Sequence, residues 1–174
     1  MNIPTPEQCE NLLASNNTPE ATIIHSRMVR DVARRIGRDL KWLRDRGPNL
    51  ALITAAALLH DIAKGKPDHA AAGAAILREN GYDEVAHIVA AHNELEYSGN
   101  LPVTEKEIVF IADKLVKGDQ MVTVIYIYDH KIESCSDENL LAKLKQSKKN
   151  ALRIKTAIEQ ETGKNLEELA IAEE

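Results

Sequence analysis

Apolar residues recur three and four positions apart along most of the chain, the repeat of a helix that buries one face. Met28, Val29, Val32, Ala33 and Ile36 form such a stripe. Thr18-Pro19 ahead of it predicts an N-cap and first helical residue, opening a helix to about Arg46, where "RGPN" breaks it. Asn49 is placed to cap a second helix, "LALITAAALLHDI", stopped near Gly65 and Pro67. Asp68 should cap a third helix through Asn80, with Gly81 behind it, and Asp83 a fourth to about Asn93. After the loop "ELEYSGNLP", Thr104 and Glu107 have capping-box spacing and open a fifth helix to about Gly118. Asp137 heads a long helix through Glu161, Gly163 closes it, and Asn165 caps one last short turn. The stretch "MVTVIYIYDH" is β-branched and aromatic, but a lone strand would have no partner, so helix or irregular structure is expected. The pattern predicts an all-α fold, a single domain over 1–174, ending in a helical extension over about 137–172.

Composition narrows the function classes. The 44% of apolar residues are mostly Ala, Leu, Ile and Val, with one Trp and one Phe, which suits closely packed helices. A net charge of −5 gives no overall attraction to a nucleic acid polymer or an anionic membrane. A phosphate-bearing ligand would therefore need a local positive site, a metal or a lysine. No apolar run has the length of a membrane span, and Cys9 and Cys135 form no paired motif. "MNIPTPEQCE" has neither a basic start nor an apolar stretch, so a cytoplasmic location is expected.

Polar residues on the apolar stripes carry the chemistry. His25 shares a face with Met28, Val29 and Val32; His60 continues Ile53, Ala56 and Ala57; His69 leads Ala72, Gly73 and Ile76. His92 ends Val85, Ile88 and Val89, and Asp113 lies between Val109, Ala112 and Val116. His87 lies on a polar face and is expected to be exposed or beside a ligand; His130 has no such company. Taken singly, a histidine on an apolar stripe is more often a satisfied core residue, and Asp113 alone could be a cap or a salt-bridge partner of Lys114 or Arg34. Four histidines and two aspartates aimed inward from five helices would each need a separate partner. One kind of partner serves them all: imidazole and carboxylate are the ligands of borderline-to-hard divalent ions. His60 and Asp61 are adjacent, so they share an ion only if the helix is ending there, as Gly65 and Pro67 suggest.

The order His25, His60-Asp61, Asp113, with "AALLHDIAK" and "IADKL" around its members, resembles the HD superfamily of metal-dependent phosphohydrolases over about residues 20–120. The resemblance implies a compact helical HD-domain bundle, with His25, His60, Asp61 and Asp113 as first-metal ligands. "HAAAGAAIL" and "IVAAHNE" are similar to the extra-histidine helices of two-metal members, including diadenosine-polyphosphate hydrolases, which implies His69 and His92 as second-metal ligands and Asp61 as the bridge. HD domains associated with molybdenum-cofactor nucleotidyltransferases are also similar. The implied cofactors are one or two divalent ions among Fe, Mn, Co, Ni, Zn and Mg. The implied activity is hydrolysis of a phosphoester or phosphoanhydride, of a nucleotide in particular, by hydroxide held on metal. Catalysis would then fall to Asp61 and Lys64, and substrate binding to Lys64 and Lys114, with Lys117 a weaker choice. Lys64 could equally serve as a helix-terminal cation, and Lys114 as a solvated surface lysine. The loop 94–102 could cover such a site, and Tyr82, Tyr97 and Trp42 are the aromatics available for stacking. Two rival readings share the ligand set: an oxygenase with two irons, and a non-catalytic metal-binding regulatory domain.

Overall fold

The computed structural model describes residues 1–171. Among these the chain forms nine helices and one minimal antiparallel hairpin, an all-α architecture. The helices are α1 (Pro6–Ser15), α2 (Glu20–Leu43), α3 (Leu50–Leu59), α4 (His69–Glu79), α5 (Asp83–Ala91) and α6 (Glu105–Asp113). The hairpin β1–β2 (Val116–Lys117, Gln120–Met121) precedes α7 (Val124–Glu133), α8 (Glu138–Thr162) and α9 (Leu166–Ile171). No described helix is long and apolar enough to cross a membrane.

The fold is organised around α3. Leu52 through Leu59 are all buried, so beyond its first turn this helix has no solvent face and must be covered on every side. Asn49 starts it, its Oδ1 accepting from Ala51 N at 3.0 Å and Leu52 N at 3.2 Å. α2 covers one side with Val29, Val32, Ala33, Ile36 and Leu40. The two helices approach closely at Gly37, where a Cβ would stand 2.7 Å from Ile53 Cδ1. α1, α5 and α6 close the other sides, α4 packs on α5, and α8 and α9 return against α2. α7 packs chiefly on α8.

Several boundaries differ from the sequence expectation, each for a physical reason. α1 was not foreseen, although Thr5 and Gln8 form a capping box and Pro6 opens the helix. Pro19, not Thr18, is the N-cap of α2; the buried Thr18 hydroxyl donates instead to Ile62 O at 3.3 Å. α2 ends at Leu43 rather than Arg46, because Arg44 turns extended and pairs with Glu161. Asp83 is the first residue of α5, not its cap. α6 stops at Asp113, short of Gly118, and the chain turns into the hairpin through Gly118 at φ +62°. Residues 124–133, left open by the sequence, form α7, started by Thr123 Oγ1 accepting from Tyr126 N. The long C-terminal helix and the short one after it fall where Asp137, Gly163 and Asn165 place them, while residue 172 of the expected extension lies outside the described residues.

Candidate metal centre

Five helices converge on one basin, and most of the ligand-type side chains stand at helix ends. His25 is in the second turn of α2, His60 is the C-cap of α3, and Asp61 lies in the turn that follows. His69 opens α4, His92 caps the end of α5, and Asp113 ends α6. α3 stops at Leu59, so His60 and Asp61 stand at the helix end, and their Nε2 and Oδ2 lie 3.6 Å apart.

Two groups result, each with ligand atoms within 4.8 Å of one another: His25, His60 and Asp61, and Asp61, His69 and His92. Asp61 belongs to both. Asp113 joins the first group, its Oδ1 lying 3.0 Å from His25 Nε2 and 3.4 Å from His60 Nε2. In the second group Asp61 Oδ1 lies 3.1 Å from His69 Nε2 and 3.4 Å from His92 Nε2, and the two Nε2 atoms are 3.2 Å apart.

Backbone carbonyls orient the rings. His25 Nδ1 donates to Gly118 O at 3.1 Å, His60 Nδ1 to Ala57 O at 2.8 Å, and His92 Nδ1 to Val89 O at 2.6 Å. A carbonyl only accepts, so each of these Nδ1 atoms carries its hydrogen, and a neutral ring would leave Nε2, the nitrogen turned into the basin, free to bind an ion. His60 Nε2 and Asp61 Oδ1, both buried, have no hydrogen-bond partner of good geometry. Left so, a buried lone pair and a buried carboxylate oxygen cost about 1–3 kcal/mol each or more. A divalent cation answers both, and the nitrogen-and-oxygen donor set suits such an ion.

Charge in the basin is set by burial against pairing. Burial would raise the Asp61 pKa, but the neighbouring His92 and His60 rings and the Lys64 ammonium together hold it far below the ordinary carboxylate range. Asp113 is depressed likewise, the Lys114 cation and the adjoining His25 and His60 rings overcoming burial. Burial also works against a charged His60, yet Asp113 and Asp61 prevail and its pKa is raised. For His69 and His92 burial wins and both are lowered.

The lysines divide. Lys64 Nζ sits 2.9 Å from Asp61 Oδ2, with half its side chain in solvent. Lys114 is not the solvated lysine its position suggested: it is buried, its Nζ 2.7 Å from Asp113 Oδ2, 3.4 Å from His92 O and 4.9 Å above the Phe110 ring. The salt-bridge partner of Asp113 is thus Lys114, while Arg34 donates to Thr54 Oγ1. Lys117 is exposed and lies over Tyr126.

His87 and His130 are exposed. Trp42, 89% exposed, stands about 25 Å along α2 from His25. Tyr97 is buried, its hydroxyl donating to Leu101 O. The loop 94–102 is fastened to α8 through Asn150 Nδ2 donating to Leu95 O. Asn93 was not singled out by sequence, yet its Nδ2 lies 3.2 Å from His69 Nε2; its place directly after His92 was the available signal.

Comparison with known families adds one finding. The HD domain family matches residues 22–118, more than half of the chain and the span that holds all six ligand-type residues. No curated protein and no solved structure gave a significant match. HD domains bind divalent metals and are mostly metal-dependent hydrolases. From its matched span, its helical architecture and its paired His/Asp groups, the chain belongs to the HD domain family.

Proposed function

We propose that the protein is a metal-dependent phosphohydrolase that cleaves a phosphoester or phosphoanhydride bond in a small phosphorylated substrate, a nucleotide in particular. One observation carries the reading: a single buried carboxylate, Asp61, is shared between two groups of imidazoles whose Nε2 atoms face inward. His25, His60, Asp61 and Asp113 would hold one ion, and Asp61, His69 and His92 a second. A bound divalent ion supplies Lewis acidity, drawing the pKa of a bound water toward neutrality and neutralising phosphoryl oxygens.

The residues of the chain do the rest. Asp61 stays ionised and presents an oxygen to each group. Ala57 and Val89 carbonyls fix the ring planes of His60 and His92, and Lys114 fixes Asp113. The half-exposed Lys64 ammonium is within reach of a phosphoryl or leaving oxygen delivered beside Asp61.

The test is metal analysis of the purified protein followed by turnover of nucleotides, dinucleoside polyphosphates and cyclic nucleotides with added Mn²⁺. Asp61→Asn should lower turnover about a thousandfold, some 4 kcal/mol of transition-state stabilisation, and deplete bound metal while the helical circular dichroism stays unchanged. Full turnover in Asp61→Asn would overturn the assignment. Oxygen consumption without phosphate release would point to the oxygenase reading instead.

A further inference from the structure

α8 carries cations in two different situations. Lys143 pairs with Glu94, Lys148 with Asp129, and Lys155 with Glu159 and Glu167. Lys145, Lys149 and Arg153 have no carboxylate partner among the described residues. Lys145 and Lys149 make no hydrogen bond there either, and the polar contact of Arg153, Nη1 to Tyr97 O, is 3.5 Å long. All three residues are exposed. They follow one another at four-residue intervals, so they share one face of α8 at steps of about 6 Å. Like charges at this spacing repel and weaken a helix. The whole chain has a net charge of −5, so this row is no part of a general basic excess.

The row lies in a groove. Together with Gly99 of the loop 94–102, this face of α8 bounds about 520 Å³, with no carboxylate in the lining. Leu152 and Ala157 line the groove as well, half-buried and packed on the core beneath. An aliphatic strip thus runs beside a row of unneutralised cations. The groove shares no residue with the metal centre.

Charge and spacing select the occupant. Carboxylates at every fourth position of a second helix repeat at the same step of about 6 Å as the cations of α8. Apolar residues beside those carboxylates would cover Leu152 and Ala157, the usual way an amphipathic helix seats in a groove. A single-stranded nucleic acid also brings anions, but no aromatic ring lines the groove to stack its bases. We propose that this face of α8 docks an acidic amphipathic helix of a partner protein, with Glu or Asp at four-residue spacing set against Lys145, Lys149 and Arg153. The face lies beyond the matched HD span, so it is supplied by this chain's own C-terminal part.

The experiment uses the full chain and fluorescein-labelled synthetic helical peptides, read by fluorescence anisotropy. The first peptide carries Glu at every fourth position beside a row of Leu, and it should bind the parent saturably. Lys149→Glu should weaken it by about tenfold. A second peptide, with Lys in place of the central Glu, should bind Lys149→Glu more tightly than it binds the parent, an exchange that a merely structural role of Lys149 would not produce. The substitution sets a carboxylate between two cations at helical spacing, so the melting temperature should equal or exceed the parent's, with metal content unchanged. No saturable binding of the first peptide by the parent, or equal affinity in Lys149→Glu, would overturn the docking face. So would tighter binding of an oligouridylate than of the peptide, which would give the face to RNA. A parent dimer in sedimentation that Lys149→Glu dissolves would give it to a second copy of the chain and overturn the proposal equally.

Discussion

The two sides of Asp61 are built differently. On one, His25 and His60 come from the two long-packed central helices and close on Asp113, with His60 fully buried. Asp113 Oδ1 sits between their Nε2 atoms, so without metal a carboxylate–imidazole contact takes the ion's place. On the other, His69 and His92 come from the α4–α5 pair, His69 is partly open to solvent, and Asp61 is the one carboxylate they share. Their Nε2 atoms face each other at 3.2 Å with both pKa values lowered. The first side pairs its imidazoles with a carboxylate of its own; the second sets two imidazole nitrogens against the one shared carboxylate oxygen, an arrangement that would suit an ion.

The largest break in this comparison comes from removing one histidine per side. His60→Ala should abolish metal at the first group and reduce turnover by about a hundredfold or more, because it removes a buried ligand whose neighbours are carboxylates. His69→Ala should leave the first ion in place, lowering bound metal from two equivalents toward one. Metal analysis of both variants checks this, and equal losses would erase the distinction between the sides.

A smaller effect is expected from pH on the metal-free protein. His69 and His92 bind protons less readily folded than unfolded, so their contribution to stability falls as pH drops through about 6.5. His60 has the opposite sign: its contribution is full below about 6.5 and is lost as pH rises through its elevated folded value. Thermal melts across pH 5–8 should therefore show an optimum between the two regimes. In His60→Ala the alkaline decline should vanish while the acid-side loss stays. Melting temperatures that climb steadily to pH 8 in the metal-free parent would contradict the assigned signs.

The smallest effect belongs to Asn93. Its amide nitrogen lies 3.2 Å from His69 Nε2, the atom that an ion would need. Asn93→Ala should tighten metal binding at the second group by a few-fold, about the worth of one partly exposed hydrogen bond. A metal titration showing weaker binding would mean that Asn93 steadies the ring instead of competing for it.

The readable parts of this molecule were those in which local chemistry and burial agree. The apolar run 52–59 with His60-Asp61 at its end identified both the central helix and the carboxylate common to the two groups, and Asn49, Asp68 and Thr104 stand where their capping chemistry places them. α7 was obscured because Val124, Ile125, Tyr126 and Ile127 suit a strand; packing of Val124, Ile127 and Tyr128 against α8 decides for helix. α1 presents only two fully buried residues, Cys9 and Leu13, too few for a visible stripe. Thr18 misled because its hydroxyl serves a carbonyl forty-four residues away. Lys114 was misjudged as solvated because its burial beside the Phe110 ring and the His92 carbonyl exists only in the folded chain.

The turn at Gly118 has a consequence for how this centre can be tuned. The residue lies at the surface, yet its carbonyl oxygen steers the His25 imidazole. Its left-handed backbone is comfortable only for a residue without a side chain. Replacing it would rotate a peptide plane, and with it an imidazole, while leaving every coordinating side chain intact. Evolution or an engineer thus has an external handle on the inner chemistry, operated through the main chain.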